Sequence, residues 1–202
     1  MVKCSGHFKQ PADGASSAPT RWRGSVKHVR CWLWLIFLII VLLTRSLRSE
    51  IYDEYAVKAA YLYNFTKFVE WPPGTFPATD SPLVICVSSE NPFGGALATL
   101  HGKTVADHPV EVRLISLAAR LDRCHVIFIG RTNQGNFKTV LTKLARLPIL
   151  TVSDINDFTQ SGGIIELFDE NQRIRFSINI TVARQANLKL SSQLLKLAVI
   201  VD

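Results

Sequence analysis

Cysteine is scarce in this chain, and the signatures that would name an enzyme are missing. The 202 residues carry four cysteines, and Cys4 and Cys31 fall within the first 49 positions. Only Cys86 and Cys124 remain for the rest of the chain. No C-x-x-C spacing occurs, which excludes a thioredoxin-like redox pair. His101, His108 and His125 lack ligand spacing relative to the cysteines, which argues against zinc. There is no G-x-S-x-G, Walker A, G-x-G-x-x-G or H-E-x-x-H segment. With no nucleophile–base pair to name, the chain reads as non-enzymatic and without a cofactor or metal.

Charge imbalance is also absent where it would matter. The formal net charge is +7. Lys3, Lys9, Arg21, Arg23, Lys27, Arg30, Arg45 and Arg48 stand against Asp13 alone in the first 49 residues, and they account for all of it. From Glu50 onward 15 basic residues balance 15 acidic ones. A neutral domain offers no electrostatic footprint to a phosphate backbone, so nucleic acid is excluded as a partner.

What the chain does have is an apolar run of 13 residues, Cys31 to Leu43, entered through Arg21, Arg23, Lys27 and Arg30. A helix of that length falls short of the roughly 20 residues that cross a bilayer. It matches the h-region of an export signal, with the basic stretch as its n-region. Thr44-Arg45-Ser46 offers a cleavage site crowded by Arg45 and Arg48. An uncleaved N-terminal anchor and a buried core helix are the alternatives. Residues 1–49 are therefore read as a basic, Ser/Gly/Pro-rich n-region plus signal peptide or anchor, and 50–202 as one domain. Export would place Cys86 and Cys124 in an oxidising compartment. They then form a disulfide, worth roughly 4 kcal/mol in chain entropy, or remain two separate buried thiols.

The domain reads as alternating strands and helices. A helix is expected over Asp53–Trp71, with Val57, Ala60, Tyr61, Asn64, Phe65, Phe68 and Trp71 on one broad side that Leu62 and Val69 widen. Asn64 would be a core amide or a ligand contact. Leu83–Val87, Val110–Ile115, His125–Ile129 and Ile149–Val152 read as strands. Helices are expected over Phe93–Leu100, from Ser116 to Arg123, and from Phe137 to Leu144. This order indicates βαβ units and a parallel sheet. Ile164–Phe168 and Arg173–Ile180 then read as a hairpin, with Glu166 opposite Arg175 and one face wet. Helical pieces follow near Thr181–Ala186 and Ser191–Val199. The expected fold is a three-layer α/β domain: a mostly parallel sheet with an antiparallel C-terminal hairpin at its edge.

Two surfaces are candidates for function. Ligands of open α/β sheets bind outside the carboxyl ends of the strands. Ser88, Ser89, Asn91, Arg131, Ser153 and Asp154 lie there, as a small-ligand crevice or as ordinary caps and loop residues. The apolar arc of the first helix is wider than one core contact needs, so Tyr61, Tyr63, Phe65 and Trp71 are candidate interface residues. The bland reading is core packing throughout.

The segment Tyr61-Leu62-Tyr63-Asn64-Phe65-Thr66-Lys67-Phe68-Val69-Glu70-Trp71-Pro72 resembles the opening signature of the YfiR family of exported bacterial proteins. Asn91-Pro92-Phe93-Gly94, Cys124 to Gly130, Leu150 to Asp154, Gly162 to Ile165 and Ser191 to Ala198 follow in that family's order. The resemblance implies a periplasmic regulator that represses a membrane-bound diguanylate cyclase and so limits cyclic di-GMP. It implies a homodimer and a disulfide matching Cys86 and Cys124. It also implies sequestration by an OmpA-like lipoprotein. A second family disulfide has no counterpart here. The partner would be an inner-membrane signalling protein, a diguanylate cyclase or a sensor kinase. A periplasmic small-molecule-binding domain of a sensing or transport system is the alternative. The expected location is the periplasm after signal cleavage, or the inner membrane with the domain facing the periplasm.

Overall fold

A computed structural model describes residues 54–88 and 90–202, and the expected leader over 1–49 lies outside them. Helix α1 spans 54–66. Strands β1 (Val69–Glu70), β2 (Leu83–Ser88), β3 (Thr104–Val105), β4 (His108–Ile115) and β5 (Val126–Ile129) follow. Then come α2 (Phe137–Leu144), β6 (Leu150–Ser153), β7 (Ile165–Asp169) and β8 (Ile174–Asn179). The chain closes with α3 (Ile180–Gln185), β9 (Lys189–Leu190), α4 (Ser192–Leu195) and β10 (Val199–Val201). Eight strands form one sheet in the order β10-β8-β7-β6-β5-β2-β4-β3. Only β7–β8 and β3–β4 pair antiparallel within it. The fold is α/β with a mostly parallel sheet, as the alternating pattern requires.

The layers follow from strand periodicity. Along β2, Leu83, Ile85 and Val87 join the core under α1, while Val84 and Cys86 face the core under α2. Both faces are covered, so the central strands are apolar throughout. In α2, Phe137, Val140, Leu141 and Leu144 make the i, i+3, i+4, i+7 stripe that fills the second core. Cys86 on β2 and Cys124 just before β5 are bonded there, with Cα atoms 5.8 Å apart. Parallel pairing of β2 with β5 brings the two positions together. Gly163 has no room for a side chain, because a Cβ would stand 2.1 Å from the Phe158 ring.

Several elements depart from the sequence-based expectation. Helix α1 ends at 66, not Trp71. Lys67 and Phe68 amides close on the Asn64 and Phe65 carbonyls, and Val69–Glu70 turns extended to pair antiparallel with β9. Ladder bonds and burial of Val69 replace a last helical turn that Pro72 would have stopped anyway. Gly94–Leu100 is a 3-10 helix, and the stretch after Ser116 is a turn, not a helix. The hairpin closes at Asp169↔Ile174, which sets Glu166 opposite Ser177 and Arg175 opposite Phe168. Arg175 instead pairs with Glu170. Ser177 and Asn179 are buried, because Thr159 from the 155–163 segment hydrogen-bonds to both. The expected wet face is thus wet at Arg173 and Arg175 and dry at Ser177 and Asn179. The segment 199–201 is a strand, parallel to β8 and outside the hairpin.

Candidate functional site

The carboxyl ends of β5 and β6 meet α1 around one buried carboxylate. Asp154 Oδ2 accepts from Lys58 Nζ at 2.7 Å and from the Tyr55 hydroxyl at 3.0 Å. Its Oδ1 accepts from the Arg131 amide at 3.1 Å, and the Arg131 Nε donates to the Asp154 carbonyl. Glu54, one turn before Lys58, adds a second carboxylate at 2.5 Å from the same ammonium. Lys58 and Asp154 side chains are essentially without solvent. A buried ion pair persists only when its remaining donors and acceptors are met, and here a phenol, an amide and a second carboxylate meet them. The Lys58 ammonium also lies 4.4 Å from the Tyr55 ring centroid. Burial first, then the charge of Asp154, raises the Tyr55 hydroxyl above its ordinary pKa, so it stays a neutral donor.

This cluster occupies the crevice that the strand ends would offer to a ligand. Arg131 and Asp154 come together as the sequence suggests, but they bond to each other and to α1. The Ser153 hydroxyl donates to the Ile129 carbonyl and accepts from the Ile155 amide. Asn91 closes a local turn, accepting from the Phe93 amide and donating to the Gly94 carbonyl. Ser88 is buried, with a hydroxyl that finds no partner among the described residues. Ser89 lies outside the described residues. Asn91, Arg131, Ser153 and Asp154 thus bond within the fold. Glu54, Tyr55 and Lys58 were missed in sequence because a lysine is ordinarily counted as surface.

The interface candidates scatter. Phe65 is 1% exposed and packs edge-to-face on Phe176, so it belongs to the core and not to a contact surface. Tyr61 is half-buried, packs on Phe65 and Phe176, and donates to the Ile174 carbonyl. Asn64, expected in the arc, is exposed. Tyr63 stands at the surface between two ammonium groups, Lys67 at 4.2 Å and Lys103 at 4.7 Å from its ring centroid. Its hydroxyl donates to the Thr104 carbonyl of β3.

Trp71 lies at the opposite end of the domain's sheet from Asp154. It packs edge-on to Phe76 and His125. Phe76 is sandwiched between His108 and His125, with ring centroids 3.9 and 4.5 Å away. The Val84 amide donates to His125 Nδ1, which fixes the Nε2–H tautomer. Burial lowers the His125 pKa, with smaller contributions from His108 and Arg113, against an opposing hydrogen bond to Thr75. Among the described residues no group of three His, Cys, Asp or Glu side chains is placed to hold a metal, and no helix is long and apolar enough to cross a membrane.

Comparison with known proteins gives three findings. A family model described as YfiR/HmsC-like matches residues 55–199. No curated protein matches the chain. A crystal structure of a conserved domain protein from Vibrio cholerae is similar over 59% of this chain and 55% of its own, at 11% identity and a TM-score of 0.44. The match thus spans about half of that protein's length.

Proposed function

Because this chain belongs to the YfiR/HmsC-like family, over residues 55–199, we propose that it is an exported, non-enzymatic regulator acting by protein–protein contact. The family is one of periplasmic regulators of diguanylate cyclases in general. The finer reading is that this chain represses one membrane-bound cyclase through its periplasmic part. It works as a homodimer, and an OmpA-like lipoprotein is a candidate for sequestering it. A sensor kinase is the other membrane partner the reading admits. The family match carries the proposal. Among the interface candidates, Tyr61, Tyr63 and Trp71 are partly exposed and Phe65 is not.

The test is deletion of the chain in its native host, followed by measurement of cellular cyclic di-GMP. The level is expected to rise and to return when the wild-type chain is supplied. Tyr63→Ala should supply less repression at nearly unchanged thermal stability, losing about 1 kcal/mol for its hydrogen bond. An unchanged cyclic di-GMP level after deletion rules out the cyclase reading.

A further inference from the structure

We propose that the end of α1 and the β3–β4 hairpin form the docking surface for an acidic segment of the membrane partner. The inference rests on the contact-regulator reading above and names the chemistry that the contact would recognise.

Three observations converge on this corner. The first is charge. Lys67 and Lys103 come from elements 36 positions apart in sequence, yet both ammonium groups stand against one tyrosine ring. Both lysines are exposed. Neither has a carboxylate within ion-pair distance among the described residues. Glu70 on β1 and Asp107 in the hairpin turn are the carboxylates nearest in sequence, and neither reaches them. Elsewhere, Arg113, Arg120 and Arg175 pair with local carboxylates. Two like charges gathered at one aromatic ring, in a domain that is neutral as a whole, are complementary to a carboxylate-bearing partner.

The second is a groove beside Lys67. It has a volume of about 470 Å³, and its wall includes Lys67, Glu70, Trp71, Phe76, Val105 and His108, so Lys67 and Glu70 are its two charged residues. The Trp71 indole N–H is buried, with no acceptor among the described residues. Aromatic walls, a free donor and a cation at the rim suit an aromatic or aliphatic side chain flanked by Asp or Glu.

The third is the state of the sheet edge. β3 is the outermost strand on this side. Tyr63 already takes the Thr104 carbonyl, and the strand is only two residues long. That blunts strand addition and leaves side-chain and charge contacts as the means of recognition. The turn after β3 holds Ala106 at φ +50, a left-handed conformation that costs a non-glycine residue energy. The hairpin keeps that turn all the same, and Ala106 is part of the groove wall.

The experiment uses the deletion host, with cellular cyclic di-GMP as the readout. Wild-type chain and K67R/K103R, which keeps both charges, should restore repression. K67E/K103E should leave cyclic di-GMP at the deletion level, while the protein accumulates and melts like wild type. If K67E/K103E fails to accumulate, K67Q/K103Q removes the charges at the same exposed positions and is read the same way. Full repression by the charge-reversed or neutralised chain overturns the docking surface and leaves the regulator reading standing. No change on deletion of the chain overturns both.

Discussion

Lys58 is the residue whose environment matters most to the fold. It is 0% exposed in a domain where lysine belongs at the surface. Its ammonium joins α1 to Asp154 at the end of β6, across 96 residues of sequence. Removing one member of a buried pair strands the other charge, at a cost of about 3–5 kcal/mol. Lys58→Met should therefore cost about that much in urea unfolding, and Asp154→Leu a similar amount. The double variant Lys58→Met/Asp154→Leu should recover most of the loss, because apolar groups of similar volume need no partner. Equal and additive losses would show that the two side chains do not act as a pair. His125 tests a different residue-level effect. Its folded pKa is lowered by burial, while an unfolded histidine titrates near 6.5. The unfolded chain therefore takes up the proton first as pH falls. His125 contributes stability above about pH 6.5 and loses it below that, down to its lowered folded pKa. His125→Asn keeps an acceptor for the Val84 amide but cannot titrate. Thermal melts from pH 7.5 to 5 should fall more steeply for wild type than for this variant.

At the scale of elements, α1 shows what the sequence made legible and what it hid. The helix itself was legible, but the face it buries was legible only in part. Periodicity pointed to Val57, Ala60, Tyr61, Asn64, Phe65, Phe68 and Trp71, widened by Leu62 and Val69; of these Leu62, Phe65 and Val69 are buried, joined by Lys58, Ala59 and Thr66, which it did not point to. Val57 is 45% exposed. The helix is rotated by about one residue because Lys58 points inward to Asp154, and no apolar pattern can announce a buried charge. The four parallel strands were legible for the opposite reason, since strands buried on both faces are plain apolar runs. The hairpin register was misplaced by one residue on each strand, because Asn171 and Gln172 adopt left-handed backbone, at φ 54 and 60, and place the turn at 170–173. The Cys86–Cys124 bond closes a loop with a sequence separation of 38. Chain entropy sets its worth at about 4 kcal/mol. Cys86→Ala/Cys124→Ala should lose roughly that in denaturant midpoint without changing surface charge. Repression of cyclic di-GMP should persist at permissive temperature, since neither cysteine lies near Tyr63 in sequence or in the same core. Wild-type stability in the double variant would show that the bond adds nothing beyond packing.

Over the whole molecule, charge and hydrophobicity are segregated along the chain, and that segregation yields the last prediction. All of the net +7 resides in the first 49 residues, together with the 13-residue apolar run, and the remaining sequence balances 15 against 15. A leader with that polarity is inserted with its basic end retained, and its short apolar stretch suits a signal h-region better than a span. The proposed export would bring the domain from Glu50 onward to the far side of the membrane as a neutral body, in a compartment that favours the Cys86–Cys124 bond. Contact with a partner at the membrane surface would thus depend on local features, such as the two lysines at Tyr63, and not on a global field. The expected product in the native host has lost its first 46 to 49 residues and fractionates with the periplasm. Intact mass and N-terminal sequencing of the recovered protein measure this directly. Full-length chain in the membrane fraction, with its domain accessible from the periplasm, would establish the anchor instead and leave the contact mechanism in place. Full-length chain in the cytosol would remove the protein from the compartment its proposed partner faces, and the regulator reading would fall with it.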